Sequence, residues 1–230
     1  MALINDFMSL IYPRHCEACG TNLLKHEQFI CNLCQINLPK SNYHQHLNNE
    51  LSFVFAGRIL FENALCFYVF EKSGRVQKLL HAIKYQNQKE LAQFIGSLYA
   101  KDLIENNCLK TVDVILPIPL HAKKLKQRGY NQSEWFAKGI ASALNIRLDA
   151  TLLQKINATN TQTNKKKFER WQNVDGVFKI QTPEILKNKH VLIVDDVITT
   201  GATIEAAWQA LKDIEGIKVS ILSIAFATKN

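Results

Sequence analysis

The sequence predicts an α/β protein, a mostly parallel sheet flanked by helices with a small four-cysteine module at its N-terminal end. Three observations carry that prediction. Short apolar runs of strand length alternate with stretches whose apolar residues recur at helical spacing, as parallel strands joined by helical crossovers require. One such run, Val191–Val194, leads into two adjacent carboxylates and a Thr-Thr-Gly turn that opens a helix. Four cysteines fall as two Cys-x2-Cys pairs within residues 16–34.

Composition agrees. Of 230 residues 47% are apolar and 21% charged, which is enough apolar surface to offset chain entropy and excludes a disordered or low-complexity chain. No apolar run approaches the ~20 residues that span a bilayer, so no membrane insertion is expected. Residues 1–16 are apolar but carry Asp6 and lack a basic start and a small-residue cleavage site. They read as a short helix rather than a signal peptide, and a cytoplasmic location is expected.

Taken in order, Cys16-x2-Cys19 and Cys31-x2-Cys34 are two knuckles separated by 11 residues, a spacing that aims four thiolates at one tetrahedral Zn²⁺. Four sulfur ligands leave no open position for water, so the predicted zinc is structural. The alternative, two disulfides, needs an oxidising compartment. Only Arg14, Lys25 and Lys40 are basic near this ribbon, which favours folding and docking over independent DNA recognition. His15 and His26 lie close by, outside a shell that four thiolates complete. Cys66 and Cys108 read as packing residues.

Residues 40–52 are polar and read as a connector, dividing the chain into an N-terminal module at 1–45 and a larger domain at 46–230. Ala64–Phe70 reads as a buried strand. Ser73 is placed to cap a helix carrying Val76, Leu79, Leu80 and Ile83, and a second helix covers Glu90–Glu105. A strand over Val112–Leu116 is stopped by Pro117 and Pro119. Ser133 is placed to cap a helix running to Leu144. Residues 155–173, rich in Asn, Thr and Lys, read as a long loop. A strand over His190–Val194, a helix marked by Ile204, Ala207, Trp208 and Leu211, and a strand over Ile217–Phe226 complete the chain.

The net charge of +8 is concentrated. Residues 121–170 hold 11 basic and 3 acidic side chains, while the rest of the chain holds 17 of each. Two clusters account for most of it: Lys123, Lys124, Lys126 and Arg128, then Lys165, Lys166, Lys167 and Arg170. Such a window suits a polyanion, whether nucleic acid or a pyrophosphate-bearing small molecule, although each cluster alone also reads as a solvated lysine face.

The string from Val191 to Thr203 carries the chemistry. Parallel sheets bind ligands at the C-terminal ends of their strands, where Asp195 and Asp196 fall. The turn formed by Thr199, Thr200, Gly201, Ala202 and Thr203 offers unpaired backbone N–H groups and hydroxyls to a phosphate monoester, and Gly201 lets the backbone come close. Two carboxylates beside that turn suit vicinal sugar hydroxyls. The implied ligand is a ribose 5-phosphate. Plain capping of the next helix by the Asp pair is the simpler alternative. Neither a GxxxxGK nor a GxGxxG loop is present, so a nucleoside triphosphatase or a dinucleotide-binding fold has no support.

This string resembles the binding signature for 5-phosphoribosyl 1-pyrophosphate (PRPP) in type I phosphoribosyltransferases. With the cysteine ribbon, the chain resembles the ComF family, also called GntX or competence protein F, which is amidophosphoribosyltransferase-like. The resemblance extends to Lys84-Tyr85 at a helix end, Pro117-Ile118-Pro119-Leu120, the element Arg128-Gly129-Tyr130-Asn131-Gln132, and Gln162, Arg170 and Asn173 ahead of Gly176. The chain departs from the family by carrying lysines over Lys155–Lys167.

The resemblance implies a type I phosphoribosyltransferase-like fold in which Asp195, Asp196, Val197 and residues 199–203 bind PRPP with Mg²⁺. It implies that Lys84, Arg128, Asn131 and Gln132 face the pyrophosphate, and that the loop from Lys155 to Asn173 covers the reacting centre. The function implied is phosphoribosyl transfer to a nitrogen acceptor, with a role in natural competence and DNA uptake. The alternative is a non-enzymatic, PRPP-responsive adaptor that holds single-stranded DNA on the basic window and meets competence proteins. Tyr130, Trp135, Phe168 and Trp171 would then stack bases.

Overall fold

A computed structural model describes residues 13–156 and 177–227 of the chain. In chain order the helices are α1 (Asn32–Asn37), α2 (Glu50–Phe55), α3 (Arg75–Tyr85), α4 (Lys89–Glu105), α5 (Ala122–Arg128), α6 (Gln132–Leu144) and α7 (Ala202–Gln209). The strands are β1 (Ala64–Phe70), β2 (Val114–Pro117), β3 (Arg147–Leu148), β4 (Leu153–Lys155), β5 (Phe178–Ile180), β6 (His190–Ile198) and β7 (Lys218–Ala227). Five of them form one sheet in the order β1-β7-β6-β2-β3, with every pairing parallel. The mostly parallel sheet flanked by helices that the sequence predicts is the fold observed.

The apolar runs are continuous because both faces of the sheet are covered. On one face Leu192, Val194, Ile115, Leu222 and Ile224 pack with α3, α4 and α6. On the other, the alternate residues Val191, Ile193, Val114, Leu116 and Ile221 pack with α2 and α7. Gly96 and Gly139 let α4 and α6 touch, since a Cβ at either would collide with the other helix's backbone.

The crossover after β2 runs through α6 on the first face, and the crossover after β6 runs through α7 on the second. The order therefore reverses between β2 and β6, and the crevice at their C-terminal ends is the ligand position of an open α/β sheet. β6 outruns β2. Pro117 pairs with Val194, beyond which β6 is laddered only to β7 through Asp195, Val197 and Ile198. The Asp pair thus projects past the end of β2.

The cysteine ribbon is docked on the first face. Cys16, Ile30, Cys31, Cys34 and Leu38 join its apolar layer, and Phe29 packs on Phe94 with ring centroids 5.6 Å apart. The chain leaving the ribbon pairs with the outer edge of β1: Val69 N–H donates to Pro39 O and Ser41 N–H to Phe67 O, each at 2.9 Å.

Several local expectations are corrected. α2 extends out of the segment read as a connector, started by a reciprocal cap in which Ser52 N–H donates to Asn49 Oδ1 and Asn49 N–H to Ser52 Oγ. Ser73 does not cap α3; it takes a left-handed φ of 64° and Gly74 holds the cap position. Asn131, not Ser133, caps α6, with its Oδ1 accepting from Ser133 N–H at 3.1 Å. β6 runs to Ile198 rather than Val194, because pairing with β7 engages the backbone whatever the side-chain polarity. β2 begins at Val114, since Asp113 instead turns to His190, whose carbonyl accepts its N–H at 2.9 Å. β4 and β5 are an antiparallel pair that the sequence reading misses. The N-terminal helix, and the loop of 155–173 beyond Ile156, lie outside the described residues. Among the described residues, no helix is long and apolar enough to cross a membrane.

Candidate functional site

The four ribbon sulfurs, from Cys16, Cys19, Cys31 and Cys34, all lie within 4.8 Å of one another and none is in a disulfide. A tetrahedron with Zn–S bonds of ~2.3 Å has edges of about 3.8 Å, and Cys19 Sγ lies 3.8 Å from Cys31 Sγ. The donor set and its spacing fit a structural zinc. Cys31 N–H donates to Cys16 Sγ at 3.3 Å, tying one knuckle to the other. Between the knuckles the Glu27 carboxylate accepts from Leu24 N–H at 2.7 Å and Asn32 N–H at 2.8 Å, and these bonds hold its acid below the ordinary range. His15 is exposed, and His26 Nε2 lies 3.3 Å from Asn32 Nδ2, so neither is spent on the cluster.

At the crevice, β6 delivers Asp195 and Asp196 side by side. Ser133 Oγ, freed from capping by Asn131, donates to Asp195 Oδ1 at 3.2 Å, and Asp196 N–H donates to the same oxygen at 2.8 Å. Val197 N–H donates to Asp196 Oδ1 at 2.7 Å. Burial, and then the neighbouring Asp196 carboxylate, push Asp195 up to about 7. Across the crevice, Lys84 at the C-terminal end of α3 places Nζ 3.0 Å from Asp196 Oδ2.

Beyond the pair, residues 199–203 turn into α7. Asp195 and the stretch from Val197 to Ile204 line a cradle of about 30 Å³, open at the start of α7, where the cap residue Gly201 has no side chain and Thr200 Oγ1 accepts only the Ala202 N–H, at 3.4 Å. Thr199, Thr200, Ala202 and Thr203 are exposed there. Gly201 is buried at φ 77°, and a Cβ on it would stand 2.6 Å from Phe55 Cε1 and 3.1 Å from Val54 Cγ1. Glycine is thus required for the left-handed turn and for close packing on α2.

The loop residues act inward. Asn131 Nδ2 donates to Ile118 O at 3.0 Å, and fully buried Gln132 accepts at Oε1 from Arg128 Nη1 at 3.0 Å. The Arg128 guanidinium lies over the Tyr85 ring, 5.6 Å from its centroid. Tyr130 is buried with its hydroxyl donating to Ile83 O, and Trp135 lies beneath Lys89 and Lys138. Neither ring is free to stack a base. Lys165, Lys166, Lys167, Phe168, Arg170 and Trp171 lie outside the described residues. Lys123, Lys124 and Lys126 are exposed on α5, which buries none of its residues.

Sequence reasoning misses a second wall. A cleft of about 920 Å³ runs from Thr199 and Thr200 to Tyr43, Glu50 and Arg58, floored by Val69 and Phe226. Arg58 donates to Thr200 O at 3.0 Å and pairs with Glu205, and Tyr43 Oη donates to Glu50 Oε2 at 3.2 Å. No local signal announces this wall, because Arg58 and Thr200 are 142 positions apart.

A family model described as "Phosphoribosyl transferase domain" matches residues 131–230. Competence protein F of Haemophilus influenzae is 26% identical over 229 residues, covering 92% of this chain and 96% of its own. Over nearly its whole length the chain is therefore similar to a competence protein F. "DNA utilization protein YhgH" of Salmonella typhimurium is 29% identical over 136 residues, and the match spans 59% of that protein's length. Among solved structures, an "allosteric regulatory enzyme of purine biosynthesis" aligns with TM-score 0.41 at 21% identity over 56% of this chain and 25% of its own. A purine phosphoribosyltransferase from Pyrococcus horikoshii aligns with TM-score 0.34 at 22% identity over 63% of this chain and 76% of its own. The phosphoribosyl transferase domain match begins at Asn131, so it takes in Ser133 and the whole of β6 and α7.

Proposed function

We propose that this chain is a ComF-family protein that binds PRPP at the β2–β6 crevice and transfers its phosphoribosyl group to a nitrogen acceptor. The observation that carries the reading is the juxtaposition of Asp195, Asp196 and the 199–203 cradle at the switch point of the sheet. The cradle receives the 5-phosphate through the N–H groups at the start of α7 and the hydroxyls of Thr199, Thr200 and Thr203. Asp195 and Asp196 accept from the ribose hydroxyls, and Ser133 Oγ orients Asp195. Lys84 and Arg128 face the pyrophosphate, while Asn131 and Gln132 shape the loop that presents Arg128. That the pair already holds the Lys84 ammonium supports it as a seat for a cation. Mg²⁺ bound with PRPP would neutralise charge building on the leaving pyrophosphate. The acceptor enters the cleft of Tyr43, Glu50, Val69 and Phe226, where a carboxylate suits an N–H donor.

We also propose that residues 1–45 form a ribbon holding one structural Zn²⁺ on four cysteines, that 46–230 form the phosphoribosyltransferase-like domain, and that the protein works in the cytoplasm, where thiolates stay reduced. The exposed cations of α5 favour a second reading, a PRPP-responsive adaptor for single-stranded DNA working with competence proteins. Titration calorimetry with PRPP and Mg²⁺ tests the first. Asp196→Asn turns a charge-assisted bond neutral and should weaken binding by about 1–2 kcal/mol, roughly tenfold. Equal affinity in variant and wild type would sink the assignment.

A further inference from the structure

Resting on the PRPP reading of the crevice, we propose that Lys84 is a built-in selectivity gate. Its ammonium closes the Asp195–Asp196 pair to a bare divalent ion and yields to one that arrives on a pyrophosphate-bearing sugar. The ammonium lies 3.0 Å from Asp196 Oδ2, with side-chain exposures of only 23% and 15%, so water screens the attraction weakly. Among the described residues, Lys84 is the sole cation within 4 Å of either carboxylate of the pair. Arg128, which flanks the same helix end, is committed to Gln132 and the Tyr85 ring.

The backbone under Lys84 is fixed. Leu80 and Ile83 are buried, Ile83 O accepts from the Tyr130 hydroxyl, and Gln86 N–H closes the helix on Ala82 O at 3.0 Å. What can move is the four-carbon stem and its point charge. A bare divalent ion approaching Asp196 must expel this ammonium and offers it nothing in return, leaving a half-buried charge unpaired. A metal–pyrophosphate complex brings the anion to which the ammonium transfers. Lysine suits this exchange because its charge swings from one oxygen to another without a planar fork to realign. Lys84 thereby orders binding: metal and sugar together, not metal first.

The test uses zinc-replete, full-length protein and Mn²⁺, with free ion followed by electron paramagnetic resonance. Wild type should bind bare Mn²⁺ weakly and much more tightly with PRPP. Lys84→Met should bind bare Mn²⁺ about tenfold tighter than wild type, with the gain from PRPP reduced. Lys84→Arg keeps the charge and should still exclude the bare ion, which separates charge from packing. Melting temperatures confirm that both variants fold. Equal bare-ion affinity in wild type and Lys84→Met overturns the gate even if PRPP binds normally. Failure of PRPP to bind wild type, with the bare-ion difference intact, overturns the PRPP reading and with it the sugar-dependent half of the gate.

Discussion

Replacing Gly201 by alanine tests how the phosphate turn is built. Gly201 sits at φ 77°, where a residue with a Cβ is strained by about 1–2 kcal/mol. The new methyl would also stand 2.6 Å from Phe55 Cε1, so the ring and α2 must give way, an overpacking cost of about 1–3 kcal/mol. Together these destabilise the fold by about 3 kcal/mol, or roughly 6–12 °C in melting temperature for a chain of this size. The shift of α2 would also pull on Arg58, which donates to Thr200 O, so ribose 5-phosphate affinity should fall as well. Urea unfolding of Gly201→Ala, Phe55→Leu and the double variant separates the two contributions. Shortening the ring to leucine should relieve about 1 kcal/mol or more of the alanine cost. A Gly201→Ala loss below about 0.5 kcal/mol, or the same loss in both backgrounds, would refute this origin of the glycine.

Three further outcomes are expected. Protein purified without chelators should contain one zinc per chain, and Cys31→Ser should lose it and destabilise the ribbon, since binding energy here is folding energy; elemental analysis without zinc would end that reading. Asp195, raised from 3.8 to about 7, favours the folded state fully below about pH 4 and loses that contribution as pH rises toward 7. Over the same window Mg²⁺-PRPP binding should tighten as the carboxylate ionises, and Asp195→Asn should abolish both trends in pH-dependent melting and calorimetry. Lys123, Lys124 and Lys126 changed together to alanine should flatten the salt slope of single-stranded DNA binding by about 2–3 units if α5 meets the backbone; an unchanged slope in fluorescence anisotropy removes α5 from any DNA interface.

The sheet was legible because its strands are buried on both faces. Ala64–Phe70 and Val191–Val194 are uniformly apolar, and their strand positions follow from that. The chemistry of the 195–203 string and the sulfur spacing of the ribbon are local patterns, readable without knowing what packs against them. Long-range placement was not. Nothing near Lys84 indicates that it reaches Asp196, and nothing near Gly201 announces Phe55, 146 positions earlier by their numbering. Asn131 outcompeted Ser133 for the cap by standing one residue ahead of the first turn, which left the serine hydroxyl for Asp195. Tyr130 looked available for stacking because sequence does not reveal that its hydroxyl closes the end of α3.

The most direct test of the central claim is a titration of ¹⁵N-labelled protein with ribose 5-phosphate, which carries the sugar and phosphate without the leaving group. The amides of residues 199–203 and of Asp195–Val197 should shift together and saturably, while those of α5 stay in place. Shifts confined to Lys123–Lys126, or none in the 199–203 turn at millimolar ligand, would contradict it.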